Sequence, residues 1–177
     1  MKYYLVALFD DASYEKLKPI QKKYSKKFRA NRNSPIPYIA LDVLENINLD
    51  KITPILQKSL SPYKYFKIEC NNEVVLNENL KTVSLRIENK GYINKIARNI
   101  NDMLILNGIA SMQINDDCFG ISLGNLNYIN KDFKKTTTNQ SDNNLDTTCY
   151  KITRFEVWKI LNNRKEVSVK TFPLRVF

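Results

Sequence analysis

Short apolar runs alternate along the chain with segments in which apolar residues recur at helical spacing. The apolar runs predict β-strands at residues 3–9, 38–43, 63–70, 82–87, 118–126, 150–161 and 166–176. The helical spacing predicts three helices, at about 11–28, 48–59 and 91–106. The resulting order, β-α-β-α-β-β-α-β-loop-β-β, predicts a mixed α+β fold in which strands outnumber helices.

A strand-helix-strand unit occurs twice, at residues 3–43 and 82–126. This repetition predicts a single domain, 1–177, built from two related lobes that pack around a central groove. Asn71-Asn72 is predicted to be a turn, after which a strand resumes at 73–76. The polar segment 131–148 is predicted to be a mobile loop, and Asn162-Asn163 to be the turn of a closing hairpin.

Charge adds a functional expectation to this framework. The chain has 28 Lys and Arg residues against 18 Asp and Glu, a formal net charge of +10, which favours polyanionic partners such as nucleic acid. Eight of these cations fall within residues 16–32, on and after the first predicted helix. Arg29 and Arg32 lead into the second strand and are candidate phosphate ligands, since a guanidinium matches phosphate oxygens. The alternative is an ordinary solvated helix face.

Several chemistries are excluded or disfavoured by composition. The chain contains no histidine, which removes imidazole acid–base pairs, catalytic triads and imidazole metal sites. Cys70, Cys118 and Cys149 lack C-x-x-C spacing and are expected to be reduced thiols. Asp116-Asp117 is expected to form a turn, so no metal or cofactor is predicted. No apolar run has the length of a membrane span, and a cytoplasmic protein without membrane partners is expected.

Two of the predicted strands carry a resemblance to a known family. Pro37-Tyr38-Ile39-Ala40-Leu41 and Phe119-Gly120-Ile121-Ser122-Leu123-Gly124 resemble the paired motif strands of the two-histidine phosphoesterase superfamily, which includes the LigT-like and 2',5'-RNA-ligase-like proteins. That family carries Pro-His-x-Thr/Ser followed by a hydrophobic residue in each lobe. Here Tyr38 and Gly120 stand at the histidine positions, and Ala40 and Ser122 at the hydroxyl positions.

The resemblance implies a degenerate member of that family. General acid–base catalysis at neutral pH needs groups that titrate near neutrality, and neither a tyrosine nor a glycine supplies one. We therefore predict a groove that binds a nucleotide, a cyclic oligonucleotide, a 2',5'-oligonucleotide or an RNA end without cleaving it. The predicted ligand-binding residues are Tyr38, Ala40, Gly120, Ser122, Arg29, Arg32 and Arg154.

Two other classes of function stay open at this point. One is a residual or altered phosphodiesterase in which Tyr38 acts as the acid and Ser122 holds the phosphate. The other is a protein-interaction scaffold that keeps only the fold. The sequence leaves the ligand's linkage and the oligomeric state undetermined.

Overall fold

The fold was analysed in a computed structural model that describes residues 1–78, 80–113, 119–129, 147–161 and 165–176. Three helices and eight strands in these ranges confirm the predicted α+β class. The elements are β1 (Lys2–Phe9), α1 (Asp11–Lys27), β2 (Ile39–Glu45), α2 (Leu49–Leu60), β3 (Phe66–Asn77), β4 (Thr82–Ile87), α3 (Gly91–Leu106), β5 (Ser111–Gln113), β6 (Gly120–Asn125), β7 (Thr148–Ile160) and β8 (Glu166–Pro173).

The strands form one antiparallel sheet in the order β5-β2-β1-β7-β3-β4-β6, and β8 pairs with the second half of β7. Strand β7 spans both halves of the sheet, because its first residues pair with β3 and its later residues with β1 and β8. An isolated bridge between Tyr38 and Ser122 joins β6 to the start of β2. The end strand β6 therefore contacts β2, the second strand from the opposite end of the order.

The apolar pattern explains how the helices attach. Asp10 caps α1 by accepting a hydrogen bond from the Ser13 amide at 2.9 Å, and Leu17 and Tyr24 lie on the buried face of this helix. Pro19 lies on the exposed side without ending the helix. Helix α1 packs on β6 and β7, whereas α2 and α3 pack against each other. The two strand-helix-strand units thus share one continuous core.

Two local expectations are wrong. The predicted turn at Asn71-Asn72 does not form; β3 continues through it, with an irregularity between Cys70 and Val74 in its pairing with β4. The extra residues are absorbed as a bulge because β4 continues alongside, which keeps the strand paired. Strand β5 was not predicted, since Ser111–Gln113 has no apolar alternation; it forms by pairing with the edge of β2.

Other expectations fall wholly or partly outside the described residues. These are the loop predicted at 131–148, of which only 147 and 148 are described, the turn at 162–163, Asp116-Asp117 and Cys118. Cys70 is buried and Cys149 exposed, and both are free thiols. In the described parts of the chain, every helix is too short or too polar to cross a membrane.

Candidate ligand-binding site

The two motif strands meet at Tyr38 and Ser122. The Tyr38 amide donates to the Ser122 carbonyl at 3.4 Å, and the Ser122 amide donates to the Tyr38 carbonyl at 2.7 Å. Ala40 and Gly120 lie two residues along their strands and are likewise buried. The structure therefore pairs Tyr38 with Ser122, with Ala40 in β2 and Gly120 in β6.

The Tyr38 side chain fills space rather than presenting a titrating group. Only 1% of it is exposed, and its ring lies 4.9 Å from the Trp158 ring at an interplanar angle of 57°. Burial raises the pKa of the Tyr38 phenol far above its usual value of 10, and the nearby Ser122 hydroxyl opposes this rise only in part. The phenol stays protonated at physiological pH, so it can donate a hydrogen bond but is a poor base and a poor acid.

Ser122 carries an unsatisfied polar atom. Its Oγ is buried and has no hydrogen-bond partner among the described residues, although it lies close enough to the Tyr38 phenol to influence that pKa. An unpaired buried hydroxyl costs about 1–3 kcal/mol in a folded protein. Ser122 is only 4% exposed, and the Tyr38 phenol is the polar group beside its hydroxyl.

Gly120 has no room for a side chain. A Cβ atom at this position would lie 2.8 Å from the Leu85 carbonyl oxygen and 3.0 Å from the Ser84 Cβ. The first contact is shorter than real Cβ contacts and is with backbone of the paired strand β4, and the second is tighter than nine in ten of them. The second motif strand is thus packed in a way that excludes a histidine at the position where the resemblance would place one.

A cavity of about 310 Å³, called here the tyrosine pocket, opens beside Tyr38. This volume is at the small end of the range for ligand pockets. Its lining combines two phenols, two lysines, one carboxylate, three asparagines and three aliphatic side chains. These residues are Lys2, Tyr4, Asn31, Tyr38, Leu80, Lys81, Asn125, Leu126, Asn127, Ile160 and Glu166. Of the four motif residues, Tyr38 alone lines this pocket.

Glu166 is the acidic group of the tyrosine pocket. Its Oε1 accepts a hydrogen bond from the Asn125 side-chain amide at 2.7 Å. Burial raises the pKa of the Glu166 carboxyl above its usual value of 4.5, and the Asn125 hydrogen bond offsets part of this rise. Ionisation of this carboxyl therefore carries a desolvation cost.

Glu166→Gln should increase stability at pH 7, by less than about 1 kcal/mol because the side chain is only partly buried. An acid whose pKa rises on folding holds its proton more tightly in the folded state, so the free energy of unfolding falls as pH rises from 4.5 through the folded pKa. Glutamine keeps the oxygen that Asn125 contacts and does not titrate. Urea unfolding at pH 4 and pH 7 measures this, with Glu69→Gln on exposed β3 surface as the control. A variant that is less stable than wild type at both pH values would contradict the expectation.

Arg29 and Arg32 line a different depression, about 720 Å³ in volume, called here the basic surface. It lies on the second half of α1 and the segment that follows. It contains five cationic residues and no acidic one. Its residues are Lys18, Gln21, Lys22, Ser25, Lys26, Arg29, Ala30, Asn31, Arg32 and Ser34. Asn31 lines both this surface and the tyrosine pocket, so the two adjoin.

Arg154 is engaged by neighbouring protein groups. Its Nη1 donates to the Phe9 carbonyl at 3.1 Å, and its Nε pairs with Glu156 Oε1 at 2.9 Å. The other oxygen of Glu156 accepts from Trp158 Nε1 at 2.8 Å. This chain of contacts fixes the Trp158 ring against Tyr38. Arg154 lines neither the tyrosine pocket nor the basic surface.

Sequence reasoning missed Lys2, Lys81 and Glu166. They come from the starts of β1, β4 and β8, far apart in the chain, and no motif connects them. Strand pairing links two of them, because Ile160 of β7 pairs with Lys2 on one side and with Glu166 on the other. The sequence feature that could have linked Lys2 to Glu166 was the register of the closing hairpin. Among the described residues, no three metal-ligating side chains cluster.

Solved structures with the same fold extend over nearly the whole chain. E. coli LigT complexed with NADP+ matches with a TM-score of 0.62 at 10% identity, over 98% of this chain and 97% of that chain. E. coli LigT complexed with 3'-AMP gives 0.57 at 12% identity, over 98% and 97%. Kluyveromyces marxianus Usb1 gives 0.58 at 12% identity, over 98% of both. No protein-family model and no curated protein matches the sequence.

The chain therefore has the α+β fold of the solved LigT and Usb1 structures. The resemblance inferred from the two motif strands is confirmed as a likeness of fold. At 10–12% identity the likeness extends to architecture and not to activity.

Proposed function

We propose that the protein binds a phosphodiester-containing nucleotide ligand in the tyrosine pocket and returns it unaltered. The ligand class comprises cyclic oligonucleotides, 2',5'-oligonucleotides and RNA ends, and the biological consequence of such binding is sequestration. The observation that carries the proposal is the composition of the pocket at the junction of the motif strands. It joins aromatic rings, two lysines and amide side chains in a histidine-free chain.

The chemistry of the lining supports a nucleotide. Tyr4 offers ring surface and a phenol donor for a base or sugar, the buried Tyr38 bounds the pocket, and Lys2 and Lys81 offer positive charge for a phosphate. Lys2 is shared with Glu45 through an exposed ion pair of 3.0 Å, which leaves Lys81 as the stronger candidate. The solved LigT structures that share this fold hold 3'-AMP, NADP+ and ATP, which favours a nucleotide as the ligand here.

The groups at the motif positions favour retention over cleavage. In-line phosphodiester hydrolysis at neutral pH is helped by a base and an acid with pKa values near 7. The buried Tyr38 phenol is held protonated, and Gly120 offers no side chain at all. Losing each such group typically costs ~10²–10⁴ in rate. The same argument weighs against a phosphodiesterase that uses Tyr38 and Ser122.

The first experiment is a thermal-shift screen with cyclic di- and trinucleotides, 2',5'- and 3',5'-oligoadenylates and short RNAs. A ligand at 100 times its Kd should stabilise the folded state by about 2.7 kcal/mol, and chromatography should recover it intact. Lys81→Gln should weaken binding about tenfold because it removes a pocket charge. Lys67→Gln, on the exposed surface of β3, is the matched control and should bind normally.

Each other outcome of this screen has a defined meaning. A processed ligand would replace the proposal with a phosphodiesterase. No shift with any nucleotide, together with a protein that co-purifies, would replace it with an interaction scaffold. If Lys81→Gln and Lys67→Gln reduced the thermal shift equally, the binding site would lie outside the tyrosine pocket.

A further inference from the structure

The basic surface is lined by five positively charged side chains and by no acidic one. Lys18, Lys22 and Lys26 lie four residues apart on one face of α1, about 6 Å between successive positions, and Arg29 and Arg32, beyond the end of the helix, line the same depression. Lys18 pairs with Glu15 at 2.6 Å, but both side chains are largely exposed, so this pair neutralises little. No described carboxylate lies within ion-pair distance of the other four cations. Four of the five cations of this surface therefore have no ionic partner among the described residues, and the surface is strongly positive.

The segment that carries Arg29 and Arg32 is fastened to β6 by its backbone. The Asn31 amide donates to the Asn125 carbonyl at 2.8 Å, and the Asn125 amide donates to Ser34 Oγ at 2.9 Å. Gly124 permits this approach, since a Cβ there would lie 2.8 Å from the Ala30 Cβ.

Arg29 itself has a φ of 50°, a left-handed conformation that costs a non-glycine residue about 1 kcal/mol. Contacts with β6, rather than local preference, hold the backbone that carries the arginines. Charged groups held in position by the fold lose less conformational entropy when they bind a ligand than groups on a loose loop do.

Asn31 lies where the basic surface and the tyrosine pocket adjoin. We infer that a single-stranded oligonucleotide occupies both, with one nucleotide in the tyrosine pocket and its following phosphates along Lys22, Lys26, Arg29 and Arg32. This inference rests on the proposed function and narrows its ligand to a linear strand of several nucleotides. A mononucleotide or a compact cyclic dinucleotide would leave the row of cations without a partner.

The test is fluorescence anisotropy with labelled 3',5'- and 2',5'-linked oligoribonucleotides of two and eight residues, titrated at several salt concentrations. The octamer should bind at least about tenfold more tightly than the dimer, with a steeper salt dependence. Each phosphate contact contributes a slope of about −0.7 in log K against log salt for single strands. The double variant Lys22→Gln/Lys26→Gln should therefore flatten the octamer slope by about 1.4 and leave dimer binding unchanged.

The matched control is Lys51→Gln/Lys58→Gln, which removes two exposed lysines from α2 and should bind the octamer as wild type does. Equal affinity for dimer and octamer, or an unchanged octamer slope in the α1 variant, would overturn the inference while leaving the proposed function intact. Binding of the octamer without any binding of the dimer would show that the tyrosine pocket holds no nucleotide and would overturn the inference. If the α1 variant lost binding to phosphatidylserine vesicles and kept the octamer, the surface would be a membrane contact and the inference wrong.

Discussion

Tyr38→Ala is expected to lower the free energy of unfolding by about 3–5 kcal/mol, the range for removing a large aromatic side chain from a core. The ring is 99% buried against Trp158, at the single point where β6 joins β2. Its removal leaves a cavity and also withdraws the partner that holds the indole ring. Urea unfolding followed by tryptophan fluorescence measures both, because Trp158 is the one tryptophan in the chain.

Two further variants serve as comparisons. One removes only the Tyr38 hydroxyl, and the other removes an exposed ring instead of a buried one. Tyr38→Phe keeps the ring and should cost no more than about 1 kcal/mol, so it is the variant in which ligand binding can be compared. Tyr92→Ala removes a ring that is 43% exposed and contacts Phe66 edge-on at 4.8 Å; it should cost less than half as much as Tyr38→Ala. Equal losses for Tyr38→Ala and Tyr92→Ala would show that the junction is not tightly packed.

Gly120→Ala is expected to destabilise the protein by about 1–3 kcal/mol, although alanine is usually the better residue in a strand. The added methyl group would press on the Leu85 carbonyl and on Ser84 Cβ, and backbone of a paired strand yields less readily than a flexible side chain. Gly91→Ala is the control, since the nearest atom to its added Cβ is the Asn89 Oδ1 at 4.0 Å. At the start of α3 that change should stabilise by about 0.5–1 kcal/mol.

The same packing predicts the fate of a restored motif. Tyr38→His/Gly120→His would place two imidazoles at the family positions, but the second has no space unless β4 moves. We expect an unstable protein without phosphodiesterase activity. A stable double variant that cleaves 2',3'-cyclic nucleotides would show that β4 yields easily and would contradict the packing argument.

Periodicity predicted most of the fold because burial on the sheet is strongly patterned. The run at Tyr3–Phe9 became β1, whose residues from Leu5 onward are fully buried, and the three helices begin and end near their predicted residues. Strand β5 was missed because three residues that pair with an existing edge need no apolar pattern of their own. The turn predicted at Asn71-Asn72 failed because pairing with β4 overrode the local preference of two asparagines.

The candidate site was less predictable, for a different reason. The motif comparison located Tyr38 and Ser122 opposite each other, because it carries long-range pairing information that composition lacks. The motif comparison could not show that Tyr38 is buried in the core or that Arg154 forms an ion pair with Glu156. Glu166 and Lys81 line the tyrosine pocket because of the register of their strands. That register depends on bulges, which no local sequence pattern predicts.

The pairing of β1 with β7 also has a consequence for biosynthesis. Ala7 pairs with Phe155, 148 residues further along the chain. A ribosome that adds about 5–20 residues per second needs about 7–30 s to produce that partner. During this interval one edge of an apolar strand has no native neighbour, a state that invites association with other nascent chains. The yield of soluble protein should therefore depend on chaperone supply and growth temperature more than the stability of the finished fold would suggest.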